Sequence, residues 1–174
     1  VGIPLNNIIK LIKKINNVSG RLEKFTLDNN NIAIIDYAHT PDAYENIFKT
    51  VHEIDSKRKV VTIFGCGGNR DKSKRPLMAN IAEKYSNEIY LTEDNSRHEN
   101  RENIFNDIMG GFKENKHKII IDRKKAIIEV LQKSKNSIIL ILGKGVENYQ
   151  DIKGEKYPHS DIKIVKEFIN ENRN

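Results

Sequence analysis

Short, mostly apolar runs alternate with segments of helical periodicity along the chain. The apolar runs fall at residues 31–37, 59–65, 88–92, 118–122 and 137–143, and a further short strand is expected after Gly20. Runs of this kind are typical of strands that are buried on both faces of a parallel sheet. Helices are predicted at residues 4–15, 40–54, 75–85, 101–111, 123–134 and 159–172.

This alternation predicts the fold class. Strands and helices that follow one another in turn build α/β domains, because each helix carries the chain back to start the next parallel strand. We therefore predict a Rossmann-like, doubly wound α/β fold, with a mostly parallel sheet and helices on both faces. The chain has 174 residues and no repeat, linker or low-complexity tract, so one domain over residues 1–174 is expected.

Capping residues predict where two of the helices begin. Thr40 followed by Pro41 is the pattern of an N-cap and a first helical residue. The last helix is expected to be capped by Ser160 or Asp161.

A polar cluster follows each of four predicted strands. The clusters are "DYAHTPD" at residues 36–42, "GCGGNRDKSKR" at 65–75, "TEDNSR" at 92–97 and "GKGVENYQ" at 143–150. The carboxyl ends of parallel strands meet at one edge of a sheet, where doubly wound folds bind their ligands. The four clusters together therefore predict a ligand site at this edge.

Taken singly, the clusters leave alternatives open. The glycine-rich loop has neither the dinucleotide nor the Walker A spacing, so a plain turn and an anion site fit it equally well. His39 could contact a nucleotide or only cap and pack, and a metal site with Asp36 and Asp42 is disfavoured because no second histidine lies at a ligand spacing. Lys144 is expected to be a solvated turn residue, and Cys66 a small packing residue.

Composition narrows the classes of partner. The net charge is +6, but the basic residues are scattered among acidic ones without an uninterrupted basic arm, which disfavours nucleic acid as a partner. No apolar run approaches membrane-spanning length, so no membrane partner is expected, and the single cysteine favours a reducing compartment. The chain opens on Val1 without a methionine, from which we expect a fragment of a longer protein.

The clusters, taken in order, resemble the C-terminal domain of the Mur ligases, and most closely the type that adds a diamino acid. The resembling segments include "GIPLNNII", "GRLEKF", "DYAHTPDAYENI", "FGCGGNRDKSKRPLMANIAEKYSN", "TEDNSRHEN" and "GKGVENYQDIKGEKYPHSD". The resemblance implies ATP-dependent ligation of a diamino acid to UDP-MurNAc-L-Ala-D-Glu, through an acyl phosphate, in cytoplasmic peptidoglycan synthesis. It also implies an N-terminal UDP-binding domain and a central ATPase domain that this sequence does not contain. Because the Mg²⁺ ligands are expected in that central domain, the isolated chain is expected to be inactive.

The resemblance also assigns roles to individual residues. Arg70 corresponds to the residue that holds the amino acid's carboxylate, and Asn95 and Arg97, with Asp94 in the same motif, to those that grip its distal end. Gly143 and Glu147 correspond to the acceptors of the distal ammonium. These roles agree with the chemistry of the side chains, because a guanidinium pairs with a carboxylate while a carboxylate or carbonyl accepts from an ammonium.

Three further positions, Arg21, His39 and Asp71, resemble residues that face the nucleotide. ATP and Mg²⁺ are therefore the expected cofactors, and no metal ligand is expected in this domain.

Two departures from the family pattern bear on the choice of amino acid. The family's D-N-P-R motif has Ser96 in place of its proline, which is expected to loosen the loop, and the usual histidine of the last cluster is Val146. Arg97 is retained, which favours meso-diaminopimelate or an analogue such as meso-lanthionine. The alternatives are an L-lysine-adding ligase of the same family and a non-catalytic nucleotide- or RNA-binding module. A folylpolyglutamate synthetase relative is disfavoured by "DNSR" and "GKGVE".

Overall fold

A six-stranded sheet forms the centre of the fold. The computed structural model describes residues 18–114 and 116–172, so the helix predicted at residues 4–15 lies outside the described residues. The strands of this sheet are β1 (Glu23–Thr26), β2 (Ile32–Asp36), β3 (Lys59–Phe64), β4 (Glu88–Leu91), β5 (His117–Ile119) and β6 (Ser137–Leu142). A separate hairpin consists of β7 (Tyr149–Ile152) and β8 (Glu155–Pro158).

Five helices of the described residues are connected to these strands. They are α1 (Pro41–Ile54), α2 (Lys74–Tyr85), α3 (Arg101–Met109), α4 (Arg123–Lys133) and α5 (Asp161–Glu171). None of the helices in the described part of the chain is both long and apolar enough to span a membrane.

The strand order of the sheet is β1-β2-β6-β3-β4-β5. Strands β2 to β6 pair in parallel, and β1 pairs with β2 in the antiparallel direction. Central strand β6 is buried along its whole length, as expected of a strand that is covered on both faces. The doubly wound, mostly parallel fold predicted from the pattern is therefore confirmed.

Helices pack on both faces of the sheet. On one face, α1, α2 and α3 contribute to a core that includes Phe48, Met78 and Ile108. On the other face, α4 and α5 contribute to a second core that includes Ile127 and Val165. The sheet is therefore fixed between two apolar layers, and its carboxyl edge is left to the polar loops.

The predicted N-caps of the first and last described helices are confirmed. The Thr40 hydroxyl accepts a hydrogen bond from the Ala43 amide, and the Ser160 hydroxyl accepts one from the Lys163 amide. Ser160 is therefore the cap of the last helix, which leaves Asp161 free for the interior ion pair with Arg123.

Two predictions of local structure need correction. Strand β5 ends at Ile119 instead of residue 122, because the Ile121 carbonyl accepts from the Glu93 amide in the loop that follows β4. The β7–β8 hairpin was missed, since residues 149–158 are half-buried or exposed and carry no apolar run. The hairpin matters for the site because Asp151, on β7, contacts the loop after β4.

Candidate functional site

The polar loops at the carboxyl edge of the sheet enclose a cleft of about 220 Å³. The loops after β2, β3, β4 and β6 all contribute to its lining, as the position of the clusters predicted. The lining residues are Tyr37, His39, Gly65, Cys66, Gly67, Arg70, Lys74, Met78, Asp94, Asn95, Arg97, Gly143 and Glu147. The six residues assigned to substrate binding from the resemblance all lie in this one cleft.

The glycine-rich loop after β3 packs directly against the loop after β4. The Gly68 amide donates to the Asn95 carbonyl at 2.8 Å, and a Cβ at Gly68 would lie 1.9 Å from the Ser96 carbonyl oxygen. Only glycine permits this close approach of two backbones. The glycines thus bring Arg70 and Arg97, which are far apart in sequence, to the same cleft.

Arg75 anchors the glycine-rich loop through hydrogen bonds from its guanidinium. Its guanidinium is fully buried and donates to the Gly67 carbonyl at 3.0 Å, to both oxygens of Glu99 and to Asp107. The hydrogen bonds from Arg75 hold the pKa of the Glu99 carboxyl far below its ordinary value. This charge-assisted network ties the loop to α2, to the residue Glu99 before α3 and to Asp107 on α3, so the cleft wall rests on a rigid support.

Asn95 is the centre of the hydrogen-bond network in the cleft. Its side-chain amide donates to Glu147 Oε2 at 2.8 Å, and its Oδ1 accepts from the Lys144 ammonium and from the Asp151 amide, both at 2.9 Å. The Asp94 carboxylate accepts from the Asn95 amide nitrogen. The loops after β4 and β6 and the hairpin therefore meet at one buried amide side chain.

Arg97 has a left-handed backbone conformation, with φ of 51°. Its amide donates to the Asp151 carbonyl at 2.8 Å and its carbonyl accepts from the Lys153 amide at 2.6 Å. The guanidinium Nη1 donates to the Gly68 carbonyl at 2.8 Å. These bonds hold Arg97 between the hairpin and the glycine-rich loop, even though Ser96 stands where a proline would stiffen the segment.

Lys144 corrects a prediction. It was expected to be solvated, but its side chain is fully buried and its ammonium lies 2.9 Å from Glu147 Oε2 and 3.7 Å from Asp94 Oδ1. Burial raises the pKa of Glu147, but the hydrogen bonds from Lys144 and Asn95 outweigh this and lower it overall. We refer to Asp94, Asn95, Lys144 and Glu147 as the cleft cluster.

Of the three residues assigned to the nucleotide, only His39 lines the cleft. Its Nδ1 lies 2.8 Å from the Tyr37 carbonyl oxygen. Arg21 and Asp71 lie outside the cleft lining. The Arg21 guanidinium is 4.5 Å from the centre of the Tyr37 ring. The Asp71 carboxylate accepts hydrogen bonds from the amide and the hydroxyl of Ser73. Those Ser73 hydrogen bonds lower the pKa of exposed Asp71.

Cys66 lines the cleft and also belongs to the apolar core. It is buried, and burial raises the pKa of its thiol to about 12, so the thiolate is scarcely populated at neutral pH. The prediction of a packing residue is confirmed. Within residues 18–114 and 116–172, no three histidine, cysteine or carboxylate side chains are grouped as metal ligands.

Sequence reasoning missed Lys144, Lys74 and the contribution of Asp151. The lysine between two glycines resembled an ordinary exposed turn, and no local pattern signals that its partners lie on another loop. The one available signal was the acidic residue three positions later, Glu147, which now proves to be its ion-pair partner.

The fold and cleft define a doubly wound α/β domain with a site of mixed charge at the carboxyl edge of its sheet. Residues 20–145 match the family model described as "Mur ligase, glutamate ligase domain", and the chain belongs to this family.

Individual relatives agree with this assignment. The chain is 50% identical over 166 residues to the UDP-N-acetylmuramoyl-L-alanyl-D-glutamate--2,6-diaminopimelate ligase of Aquifex aeolicus. This alignment covers 94% of this chain and 34% of that protein. The chain is 44% identical over 169 residues to the ligase of the same name from Buchnera aphidicola, covering 96% of this chain and 33% of the relative. A solved structure of a ligase of that name aligns with a TM-score of 0.82 and 35% identity, over 99% of this chain and 36% of the other. The chain thus spans about a third of the length of these relatives.

Proposed function

We propose that this chain is the amino-acid-binding lid domain of an ATP-dependent ligase of peptidoglycan synthesis. The ligase adds a diamino acid, meso-diaminopimelate or a close analogue, to UDP-MurNAc-L-Ala-D-Glu. The observation that carries the proposal is that Arg70, Asp94, Asn95, Arg97, Gly143 and Glu147 all line one cleft. The diaminopimelate named in the relatives' names supports the choice of substrate.

The charges of the cleft fit this amino acid. The lining carries three cationic side chains, Arg70, Lys74 and Arg97, against two anionic ones, and buried Lys144 adds a further positive charge beneath it. When its attacking amine is neutral, meso-diaminopimelate has two carboxylates and one ammonium and is a net anion, whereas lysine in the same state is neutral. The positive excess therefore favours the amino acid with the second carboxylate.

Each end of the ligand has complementary groups in the cleft. We assign the carboxylate beside the attacking amine to Arg70 and the distal carboxylate to Arg97, since guanidinium groups pair with carboxylates through parallel hydrogen bonds. The distal ammonium is assigned to Glu147 and the Gly143 carbonyl, with Asp94 beside them. Asn95 contributes through its amide group.

ATP is assigned to the outer part of the cleft, with His39 at its lining and Arg21 and Asp71 beyond it. We expect the Mg²⁺ ligands to come from the ATPase domain of the full-length enzyme. The chain spans only about a third of the length of its relatives. We therefore expect most contacts to ATP, and those to UDP-MurNAc-dipeptide, to require a UDP-binding domain and an ATPase domain joined to this chain. The isolated chain is expected to show no turnover with ATP, UDP-MurNAc-L-Ala-D-Glu and a diamino acid.

The test is the amino-acid preference of a chimera in which this chain replaces the corresponding third of the Aquifex aeolicus relative. Arg97→Ala should lower kcat/KM for meso-diaminopimelate by about 10-fold to 100-fold, because hydrogen bonds to a charged group are lost. Use of lysine, which has no distal carboxylate, should change little. Arg101→Ala is the matched control, since Arg101 is half-exposed and lies four residues further on, outside the cleft lining.

Equal losses for the two amino acids would contradict the role of Arg97 as selector. A parent chimera that prefers lysine would establish the lysine-adding alternative instead. Salt-sensitive binding of RNA by the isolated chain, without any effect of amino acids, would favour a non-catalytic module.

A further inference from the structure

Lys144 is a buried cation with acceptors on two different loops. Its ammonium donates to Asn95 Oδ1 and Glu147 Oε2, both at 2.9 Å, and lies 5.8 Å from the centre of the Tyr149 ring. Burying a lysine is costly unless its charge is paired and its donors are satisfied. Here the ammonium joins the loop after β4 to the loop after β6 at the floor of the cleft.

The turn that carries Lys144 is built to direct it inward. Gly143 has φ of 111°, and a Cβ there would lie 2.8 Å from Asp94 Oδ2. A side chain at position 143 would therefore displace the Asp94 carboxylate, which lies 3.7 Å from the Lys144 ammonium. The backbone at Gly143 approaches the Asp94 carboxylate so closely that only a residue without a Cβ fits there.

The charges of the cleft cluster do not cancel. Asp94 and Glu147 contribute two negative charges and Lys144 one positive charge, so the cluster has one negative charge in excess. Both hydrogen bonds to Glu147 fall on Oε2, and among the described residues none is made to Oε1. One cationic group of a ligand would neutralise the cluster and find an acceptor there.

We propose that Lys144 is a positioning residue, whose buried ammonium holds the Glu147 carboxylate and the Asn95 amide in the orientation that receives the amino acid's distal ammonium. This deepens the proposed function and rests on it for the identity of the ligand. The lysine acts through its two partners and does not itself touch the substrate. Without it, two carboxylates would face each other and the Asn95 side chain would lose one of its two anchoring donors.

The charged groups around Glu147 set the background for a pH experiment. They are Lys144 and Asp94 in the cluster, together with Arg97, Arg70, Lys74 and His39 of the cleft lining. All of these side chains except Lys144 are kept in every variant.

The test compares Lys144→Met and Lys144→Gln by NMR of the isolated chain. Methionine keeps most of the length of the side chain without a donor, and glutamine keeps a donor without the charge. In Lys144→Met, the pKa of Glu147 should rise, and hydrogen exchange of the Asn95 side-chain amide should become at least about 10-fold faster. In Lys144→Gln, the pKa of Glu147 should also rise, while the Asn95 amide keeps part of its protection. Lys163→Met, at a side chain that is 76% exposed, is the control and should change neither.

The same variants in the chimera connect this geometry to the ligand. Lys144→Met should raise KM for meso-diaminopimelate by about 10-fold or more, and the rise should increase as the pH is lowered and Glu147 becomes protonated. An unchanged Glu147 pKa and unchanged Asn95 exchange in Lys144→Met would overturn the positioning role, whatever the ligand is. Changed NMR signals with an unchanged KM would overturn the connection between Lys144 and the binding of the distal ammonium. A parent chimera that does not use diaminopimelate would instead contradict the proposed function.

Discussion

Two buried ion clusters lie at the carboxyl edge of the same sheet, and they are built differently. In the first, which we term the scaffold cluster, Arg123 on α4 pairs with both oxygens of Asp161 on α5, and His159 Nε2 lies 2.8 Å from Asp161 Oδ1. Arg123 also donates to the Leu142 carbonyl at the end of β6. In the cleft cluster, Lys144 is shared between Glu147 and Asn95 and lies near Asp94.

The clusters differ in solvent exposure and in charge balance. Arg123 and Asp161 are both fully buried and neutralise each other, and both carboxylate oxygens of Asp161 are occupied. The cleft cluster has one negative charge in excess, and the Glu147 side chain is 22% exposed. A fully buried, neutral pair is suited to holding helices against a strand end, whereas a partly exposed, unbalanced group is suited to a charged ligand.

The largest effect should come from breaking the scaffold cluster. Asp161→Asn keeps the size of the side chain but leaves the Arg123 charge unpaired in the interior, so the free energy of unfolding should fall by about 3–5 kcal/mol. Urea unfolding followed by circular dichroism measures this. Glu129→Gln, which removes an exposed pair with Lys133 on the same helix α4, should cause no measurable change. A loss below about 1 kcal/mol for Asp161→Asn would mean that the two clusters do not differ as we describe.

The scaffold cluster should also make the fold sensitive to acid. Burial raises the pKa of Asp161, but the charge of Arg123 and the hydrogen bonds outweigh it, so the pKa is lower in the folded chain than in the unfolded chain. The stability that this carboxylate contributes is fully present above the unfolded value of about 3.9 and is lost as the pH falls through the lower folded value. Urea unfolding from about pH 7 down to about pH 3 should show this decline, and Asp161→Asn should make it shallower. An equally steep decline in the variant would assign the acid sensitivity to other carboxylates, such as Glu99.

Removing the Glu147 charge from the cleft cluster should weaken use of the amino acid more than it lowers the stability of the fold. Glu147→Gln removes the excess negative charge, while Lys144 keeps Asn95 and Asp94 as neighbours. In the chimera, kcat/KM for meso-diaminopimelate should fall by about 10-fold, because the charge that faces the ammonium is lost. The free energy of unfolding should change by less than about 1 kcal/mol. A stability loss as large as that of Asp161→Asn would remove the distinction between the clusters.

The smallest and most selective effect is expected at Gly67. A Cβ there would lie 2.8 Å from Arg97 Nη1 and at least 3.7 Å from the next atoms, so alanine should move only the tip of that side chain. Gly67→Ala should therefore lower kcat/KM for meso-diaminopimelate by about 10-fold or less and leave lysine use unchanged. Gly110→Ala is the control, because its Cβ would meet atoms only at ordinary contact distances of 3.5 Å or more. Equal losses for both amino acids in Gly67→Ala would indicate a general disturbance of the loop.

The sequence was informative wherever a signal is local. The apolar runs predicted the parallel strands, and Thr40 predicted a helix start, because burial on both faces and side-chain capping each depend on neighbouring residues. Strand β5 was placed less well, since only three of its residues pair with β4, and the Ile121 carbonyl accepts from the Glu93 amide in the loop after that strand. The hairpin was missed because its residues are polar and mostly exposed. Position at strand ends was sufficient to bring the six predicted substrate residues to one edge.

What the sequence determined by itself was the order of the elements and the edge at which the polar loops gather, because the periodicity of side chains and the direction of parallel strands decide both. What only the tertiary structure decided is which charges meet. Asn95 and Glu147 are 52 positions apart, and Arg123 and Asp161 are 38 apart. No local pattern separates an exposed lysine between glycines from a buried one, because burial depends on loops that arrive from elsewhere in the chain. Lys144 became a buried ion-pair partner only when the loops after β4 and β6 came together over it.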